Sequence, residues 1–278
     1  MKLMHHLLLA AAAFCATGAM AADKIVAASD VGYPPFAMVA PSGAFEGYDI
    51  DITTELSKRL GRKIELIDQA WATTFAGLNA RKFDMVVAPV IINEQRADNM
   101  LFTQAYGDAT YQFLIRKDGP QVNEPADLKG KVIAVNKGNL FDKWLSARQD
   151  EFKWTINRFD KNSDAIQAVA SGQADAVLIY TATAGWTAKQ TPILTPSNFV
   201  INEGQVYSYA FRLDDHALRD QVDQALACMK EDGTLAKLYT KWTGLSPLEG
   251  GSVVKATPGR GQPGYANYDP TPRQPCQS

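Results

Sequence analysis

Between residues 24 and 243, short β-branched runs alternate with segments of helical period, and this alternation limits the chain to α/β units rather than a sandwich or a bundle. Residues 24–28 read as a first strand. Ile52, Leu56 and Leu60 then fall at i, i+4 and i+8 on a helix that stops at Gly61, a residue suited to the left-handed conformation of a helix C-cap. Residues 63–68 form the next strand, Trp71, Phe75 and Leu78 mark one face of the following helix, and residues 84–88 form the strand after it. Asn93 is placed to cap a short helix containing Arg96. A second series begins near Ala126, with strands over 132–136, 153–159 and 174–179 and helices over 140–149, 163–170 and 181–189. A strand over 206–212 and helices over 215–230 and 233–242 follow. The last segment, 246–278, is rich in Pro and Gly and lacks period, so it reads as an irregular tail pinned by Cys276.

Residues 1–21 carry one lysine, an apolar run over 7–16 and the small-x-small sequence Ala19-Met20-Ala21, the pattern of a secretory signal peptide cut after Ala21. The run is shorter than the ~20 apolar residues of a spanning helix, and no later segment qualifies. Phe14 stands where a lipid-attachment site at Cys15 would want a small residue, so lipidation is a minor alternative. Cleavage removes His5, His6 and Cys15 and leaves His216 as the one histidine, which rules out a multi-histidine metal site. His216 lies in Asp214-Asp215-His216-Ala217-Leu218 and reads as a surface or capping residue at a helix start. Cys228 and Cys276 remain as an even pair in an oxidising compartment, which reads as one disulfide, with two unpaired thiols as the alternative. Of 28 basic residues, 27 remain without Lys2, against 30 acidic, a net charge of −3. That balance is no nucleic-acid footprint, and no basic run offers a surface for anionic membranes.

Three motifs follow one another at telling spacings: Tyr33-Pro34-Pro35-Phe36, Gly47-Tyr48-Asp49-Ile50-Asp51-Ile52 and Phe83-Asp84-Met85-Val86-Val87. They continue through Glu94-Gln95-Arg96, Leu101-Phe102-Thr103, Asp127-Leu128-Lys129-Gly130-Lys131, Gly172-Gln173-Ala174-Asp175-Ala176-Val177, Asp232-Gly233-Thr234 and Lys241-Trp242. Over roughly residues 24–244 the chain resembles the periplasmic solute-binding proteins of the polar amino-acid ABC-transporter family, bacterial extracellular solute-binding protein family 3. The resemblance implies an α/β, two-lobed type II periplasmic binding protein fold, each lobe a β-sheet flanked by helices, with two crossing hinge strands and the solute in the cleft. On this chain it implies lobe one over 22–113 plus 206–245, lobe two over 114–205 and crossings at 110–116 and 206–212, with 246–278 as a tail outside the resemblance.

The family's site maps residue by residue. Arg96 matches the carboxylate-binding arginine, whose planar fork grips a carboxylate bidentately as lysine cannot. From the opposite lobe, Gly138, Asn139 and Leu140 open a helix whose free backbone N–H groups meet the same anion. Tyr33, Phe36 and Trp71 match aromatic walls, with core packing the alternative for Phe36. Asp30 matches a position that reaches a cationic or amide group at the ligand's far end, with a turn or cap as the alternative. Two departures stand out. Tyr180 occupies the position where relatives that hold an α-amino group place a carboxylate, and Ala88-Pro89-Val90-Ile91-Ile92 supplies none of the hydroxyls expected there, so Val90 and Ile91 are apolar members of the site. Burying an ammonium without oxygens around it would cost several kcal/mol.

The function implied is a non-enzymatic, monomeric periplasmic protein that captures a small carboxylate-bearing solute, a polar amino acid or derivative, and delivers it to an inner-membrane ABC permease, without cofactor, metal, nucleic acid or membrane insertion. A carboxylate lacking an α-amine is the alternative ligand. The rival from another class is an enzyme resembling the periplasmic cyclohexadienyl dehydratases, for which Asp30 and Glu94 are the candidate acids.

Overall fold

The computed structural model describes residues 24–276, so the expected signal peptide lies outside the described residues. The first half of the chain builds β1 (Ile25–Ser29), β2 (Met38–Val39), β3 (Phe45–Glu46), α1 (Tyr48–Leu60), β4 (Ile64–Asp68), α2 (Trp71–Asn79), β5 (Met85–Ile91), α3 (Glu94–Ala97), β6 (Leu101–Phe102) and β7 (Gly107–Arg116). A 3-10 turn at Pro125–Leu128 leads to β8 (Val132–Asn136), α4 (Leu140–Ser146), α5 (Gln149–Phe152), β9 (Thr155–Phe159), α6 (Asn162–Ala170) and β10 (Ala176–Tyr180). The chain then forms α7 (Thr181–Gln190), β11 (Leu194–Phe211), α8 (His216–Glu231) and α9 (Thr234–Thr243).

Local chemistry sets the elements that carry the site. Helix α1 buries Ile52 and Leu56, has Asp49 and Asp51 in its first turn and Lys58 and Arg59 in its last, each matching the helix dipole, and ends at Gly61 with φ 60°. Strand β5, Met-Val-Val-Ala-Pro-Val-Ile, is buried along its whole length, as a strand covered on both faces must be.

The main sheet runs β4-β1-β5-β11-β7-β10-β8-β9, with β6 beside β11. Strands β4, β1 and β5 are mutually parallel, as are β10, β8 and β9, and the long antiparallel pair β11 and β7 joins the two groups. This is the two-lobed α/β arrangement with two crossing strands. Tyr207, Ser208, Ala210 and Phe211 of β11 pair with β5 or β6, while β11 pairs with β7 from Leu194 to Asn202 and again at Val206 and Tyr207.

Three expectations shift and one holds. The strand over 206–212 is the end of an 18-residue strand, whose earlier part hides behind Pro196, Ser197, Asn198, Glu203 and Gly204. Register shifts between Pro196 and Val200 and between Asn202 and Val206 absorb these turn-like residues without ending the strand. Strand β7 begins at Gly107, ahead of the expected 110. The helix over 140–149 is two pieces, and the second stops where Lys153 takes a left-handed φ of 56°. His216 opens α8 on the surface, as its neighbours implied.

The tail is irregular, yet Cys276 is one attachment among many. The Cys228–Cys276 disulfide forms. The Arg273 guanidinium also pairs with the fully buried Asp223 at 2.6 Å, Gln262 accepts from the Ala105 amide at 3.1 Å, Asn267 donates to Ala97 O at 2.9 Å, and Ser252 donates to Asp108 at 2.8 Å. Among the described residues no helix is long and apolar enough to cross a membrane.

Candidate ligand-binding site

A cavity of about 450 Å³, its open mouth included, lies where β1, β5 and α3 face α4 and the end of β10. Its polar and charged lining is Ser29, Asp30, Asp49, Arg96, Asn136 and Asn139. Aromatic and aliphatic side chains make up the rest, including Tyr33, Phe36, Trp71, Ile91, Leu140 and Tyr180.

The turn after β1 positions the first wall. Tyr33 and Ala37 exchange backbone hydrogen bonds, which brings the rings of Tyr33 and Phe36 to 6.1 Å. The start of α1 locks onto this turn: the Tyr48 amide donates to Pro35 O at 2.8 Å and the Asp49 amide to Phe36 O at 2.9 Å. Gly47, at φ 139°, makes the approach possible, since a Cβ there would lie 2.2 Å from Phe36 O. Asp49 is thereby carried to the cavity.

Arg96 reaches the cavity from α3, whose cap Asn93 accepts the Arg96 amide at 2.9 Å. Its guanidinium donates to Ile91 O at 2.7 Å and lies 5.6 Å from the Trp71 ring centre and 5.2 Å from that of Phe75. Burial pulls its pKa down to about 10, against an opposing pull from Tyr180, so it stays charged at neutral pH. No carboxylate among the described residues forms an ion pair with it. A half-buried guanidinium held by one carbonyl and two ring faces is ready for an anion.

The opposite side is less open than the sequence implied. The Gly138 amide already donates to Asp142 Oδ2 at 2.9 Å, and Gly138 is absent from the cavity lining. Asn139 caps α4 by accepting the Asp142 amide at 2.8 Å and does line the cavity, together with Leu140 and Phe141. Tyr180 ends β10, buried, and its hydroxyl donates across the cavity to Pro89 O at 2.7 Å. Its ring contacts those of Tyr33, Phe36 and Phe141 at 4.9 to 5.8 Å, and burial raises its pKa, so it is a neutral phenol.

The acids differ from expectation. Asp30 lines the cavity at 4% exposure, and burial raises its pKa, while Lys161 Nζ lies 3.2 Å from its Oδ1 and opposes the rise. Glu94 is exposed and outside the lining. Asp49, fully buried with the Tyr209 hydroxyl donating to its Oδ1 at 2.9 Å, has its pKa pushed up by burial to about 7. Its Oδ2 has no hydrogen-bond partner among the described residues.

Of the residues singled out in the sequence, Asp30, Tyr33, Phe36, Trp71, Ile91, Arg96, Asn139, Leu140 and Tyr180 converge on the cavity. Val90 does not. It packs in the core with Ala28, Leu78 and Phe83, because neighbouring residues of a strand point to opposite faces. The same alternation, applied to 88–92, pairs Pro89 with Ile91 and would have identified Pro89. Asp49 escaped notice because an acid in a first helical turn reads as a dipole partner. Ser29, Ala37, Asn136 and Phe141 carried no local signal.

The family described as bacterial extracellular solute-binding proteins, family 3, matches residues 25–245. The L-cystine-binding protein TcyA of Bacillus subtilis (strain 168) is 33% identical over 205 residues, 71% of this chain and 72% of its own. An ancestral arginine-binding protein solved with arginine bound superposes with a TM-score of 0.75 at 28% identity, over 80% of this chain and 99% of that one. The ancestral amino acid-binding protein AncCDT-1, a precursor of cyclohexadienyl dehydratase, gives 0.71 at 28% identity over 79% and 95%.

Proposed function

The chain belongs to the bacterial extracellular solute-binding proteins, family 3, and from that premise we propose that it captures a small carboxylate-bearing solute at Arg96 and delivers it to an inner-membrane ABC permease. The observation that carries this reading is the Arg96 guanidinium, charged, half-buried and without a carboxylate partner among the described residues, facing a cavity walled by aromatic rings. Relatives that bind cystine or arginine support an amino acid or a derivative as the solute class. The protein acts in the periplasm as a monomer. Lobe one is 22–113 plus 206–245 and lobe two 114–205, a division supported by the register shift that ends at Val206. Closure of the lobes buries the solute's charge against Arg96, and that differential contact shifts the population toward the closed form. Native mass spectrometry of the freshly purified protein tests the reading: a retained solute is expected in the wild type and none in Arg96→Ala. A solute kept equally by both would remove Arg96 from the site.

One observation favours a second reading. Asp49, with a pKa pushed up to about 7, lines the same cavity as Arg96, which is the pairing of a general acid with a carboxylate anchor. Incubation with prephenate or arogenate decides it, since turnover that is abolished in Asp49→Asn would make the protein an enzyme on this scaffold.

A further inference from the structure

Lys161 precedes α6, on the opposite side of the cavity from Asp30 and Asp68, which follow β1 and end β4. Its Nζ lies 3.2 Å from Asp30 Oδ1 and donates to Asp68 Oδ1. Asp68 is exposed, so water screens it, whereas Asp30 is 4% exposed and Lys161 is the one cation within 4 Å of it among the described residues. The two sides meet closely here, for a Cβ on Gly32 would lie 3.0 Å from Ser163 Oγ. Lys161 thus occupies the place at Asp30 where a ligand's cationic end would be held.

Much of the remaining polar lining is already engaged. The wall beside Arg96 is Ala88, Pro89, Ile91 and Tyr180, and the phenol of Tyr180 is committed to Pro89 O. Asn139 Oδ1 is taken by the Asp142 amide, and one oxygen of Asp49 by Tyr209. Asp30 Oδ2 and Asp49 Oδ2 keep no hydrogen-bond partner among the described residues, and Asp49, whose burial favours its protonated form, suits a neutral N–H or O–H.

We propose that Lys161 is a specificity-determining residue that stands in for a ligand cation at Asp30, so that the cavity selects a monocarboxylate with an apolar, aliphatic or aromatic body and rejects solutes bearing an ammonium. This rests on the solute-capture reading and narrows it to one charge class. A bound ammonium would have to displace Lys161 or share one buried carboxylate with it, and like charges so placed disfavour each other.

The test is calorimetry on matched pairs: 3-phenylpropanoate with L-phenylalanine, 4-methylpentanoate with L-leucine, and hexanoate with 6-aminohexanoate. The wild type is expected to bind the plain acid of each pair it recognises at least tenfold more tightly than the amino partner. In Lys161→Ala the hexanoate to 6-aminohexanoate ratio should fall at least tenfold, because Asp30 is freed, and Lys161→Gln, which keeps most of the stem, should show the same shift if charge is the cause. A wild type that prefers the amino partners, or a ratio unmoved in both variants, overturns the proposal. Arg96→Ala separates the two levels: amino partners preferred by the wild type and lost in Arg96→Ala would sink only the role of Lys161. Acids bound equally with and without Arg96 would sink the capture reading itself.

Discussion

Arg96 and Asp49 are the two charged groups at the cavity whose behaviour follows from single-residue physics. Arg96→Ala is expected to cost roughly 2 to 5 kcal/mol in the affinity for whichever carboxylate the wild type binds, because it leaves a buried anion unpaired. Arg96→Lys should recover little, since a point charge cannot reproduce the planar fork. Calorimetry on variants with wild-type circular dichroism reads both. For Asp49 the folded pKa of about 7 lies above the ordinary 3.8, so the folded protein keeps a proton that the unfolded chain has released between those values. Its stabilising contribution is full below about pH 4 and is lost as the pH rises through 7, at up to about 1.4 kcal/mol per unit. Lys230, pushed down by burial to about 7, acts above that pH and with the opposite slope. Burial raises Asp30 and Asp223 in the same direction, so urea denaturation at pH 5, 6 and 7 reads Asp49 by comparison with Asp49→Asn, which should flatten part of the fall in stability seen in the wild type. Parallel slopes would mean that Asp49 does not titrate in this window. Arg96 was legible because its motif carries it, whereas Asp49 was legible only as a landmark, since nothing local says that its carboxylate ends up buried beside the cavity.

Among the elements, the tail and β11 show what pattern reading can and cannot reach. The alternation of runs located most helices and strands within a few residues, because amphipathic period is a local property. Strand β11 was truncated because turn-forming residues at its bulges break the period while the antiparallel pairing to β7 continues through them. The tail has no period at all, yet its hydrogen bonds reach residues between 97 and 108 and α8. Two variants should therefore separate. Removing the disulfide with Cys276→Ser is expected to cost less than the roughly 4 kcal/mol of the chain-entropy model, because the other contacts hold the tail. Arg273→Ala should cost about 3 to 5 kcal/mol, since Asp223, at 0% side-chain exposure, loses its cation. Denaturant midpoints of both proteins give the comparison, and a disulfide variant weaker than Arg273→Ala would reverse this ranking.

Across the whole molecule, the cavity is spanned by contacts between residues far apart in sequence, and on the proposed capture reading its closure draws on them. The Tyr180 hydroxyl reaches Pro89 O, and Lys143 donates to Gln95 Oε1 at 3.2 Å. If closure makes this hydrogen bond, Tyr180→Phe strands the Pro89 carbonyl in the closed form alone, so it should weaken solute binding by about tenfold while barely changing thermal stability without solute. Small-angle scattering with saturating solute should then show a larger radius of gyration than the wild type at equal concentration. An unchanged affinity would mean that this hydrogen bond persists in, or is irrelevant to, the open form. Hydrophobic period, caps and motif spacing are set by neighbours along the chain, and they made the α/β class, the order of most elements and the candidacy of Arg96 readable from local pattern. The remainder came from contacts between distant residues. The fold turned Val90 into the core and Pro89 to the cavity by the pleat of β5, spent the Gly138 amide on Asp142, and set Lys161 against Asp30, 131 positions apart in the chain. Each of these depends on which groups meet in space and how far water is excluded from them, and pairing, burial and charge compensation between distant residues leave no mark on local sequence.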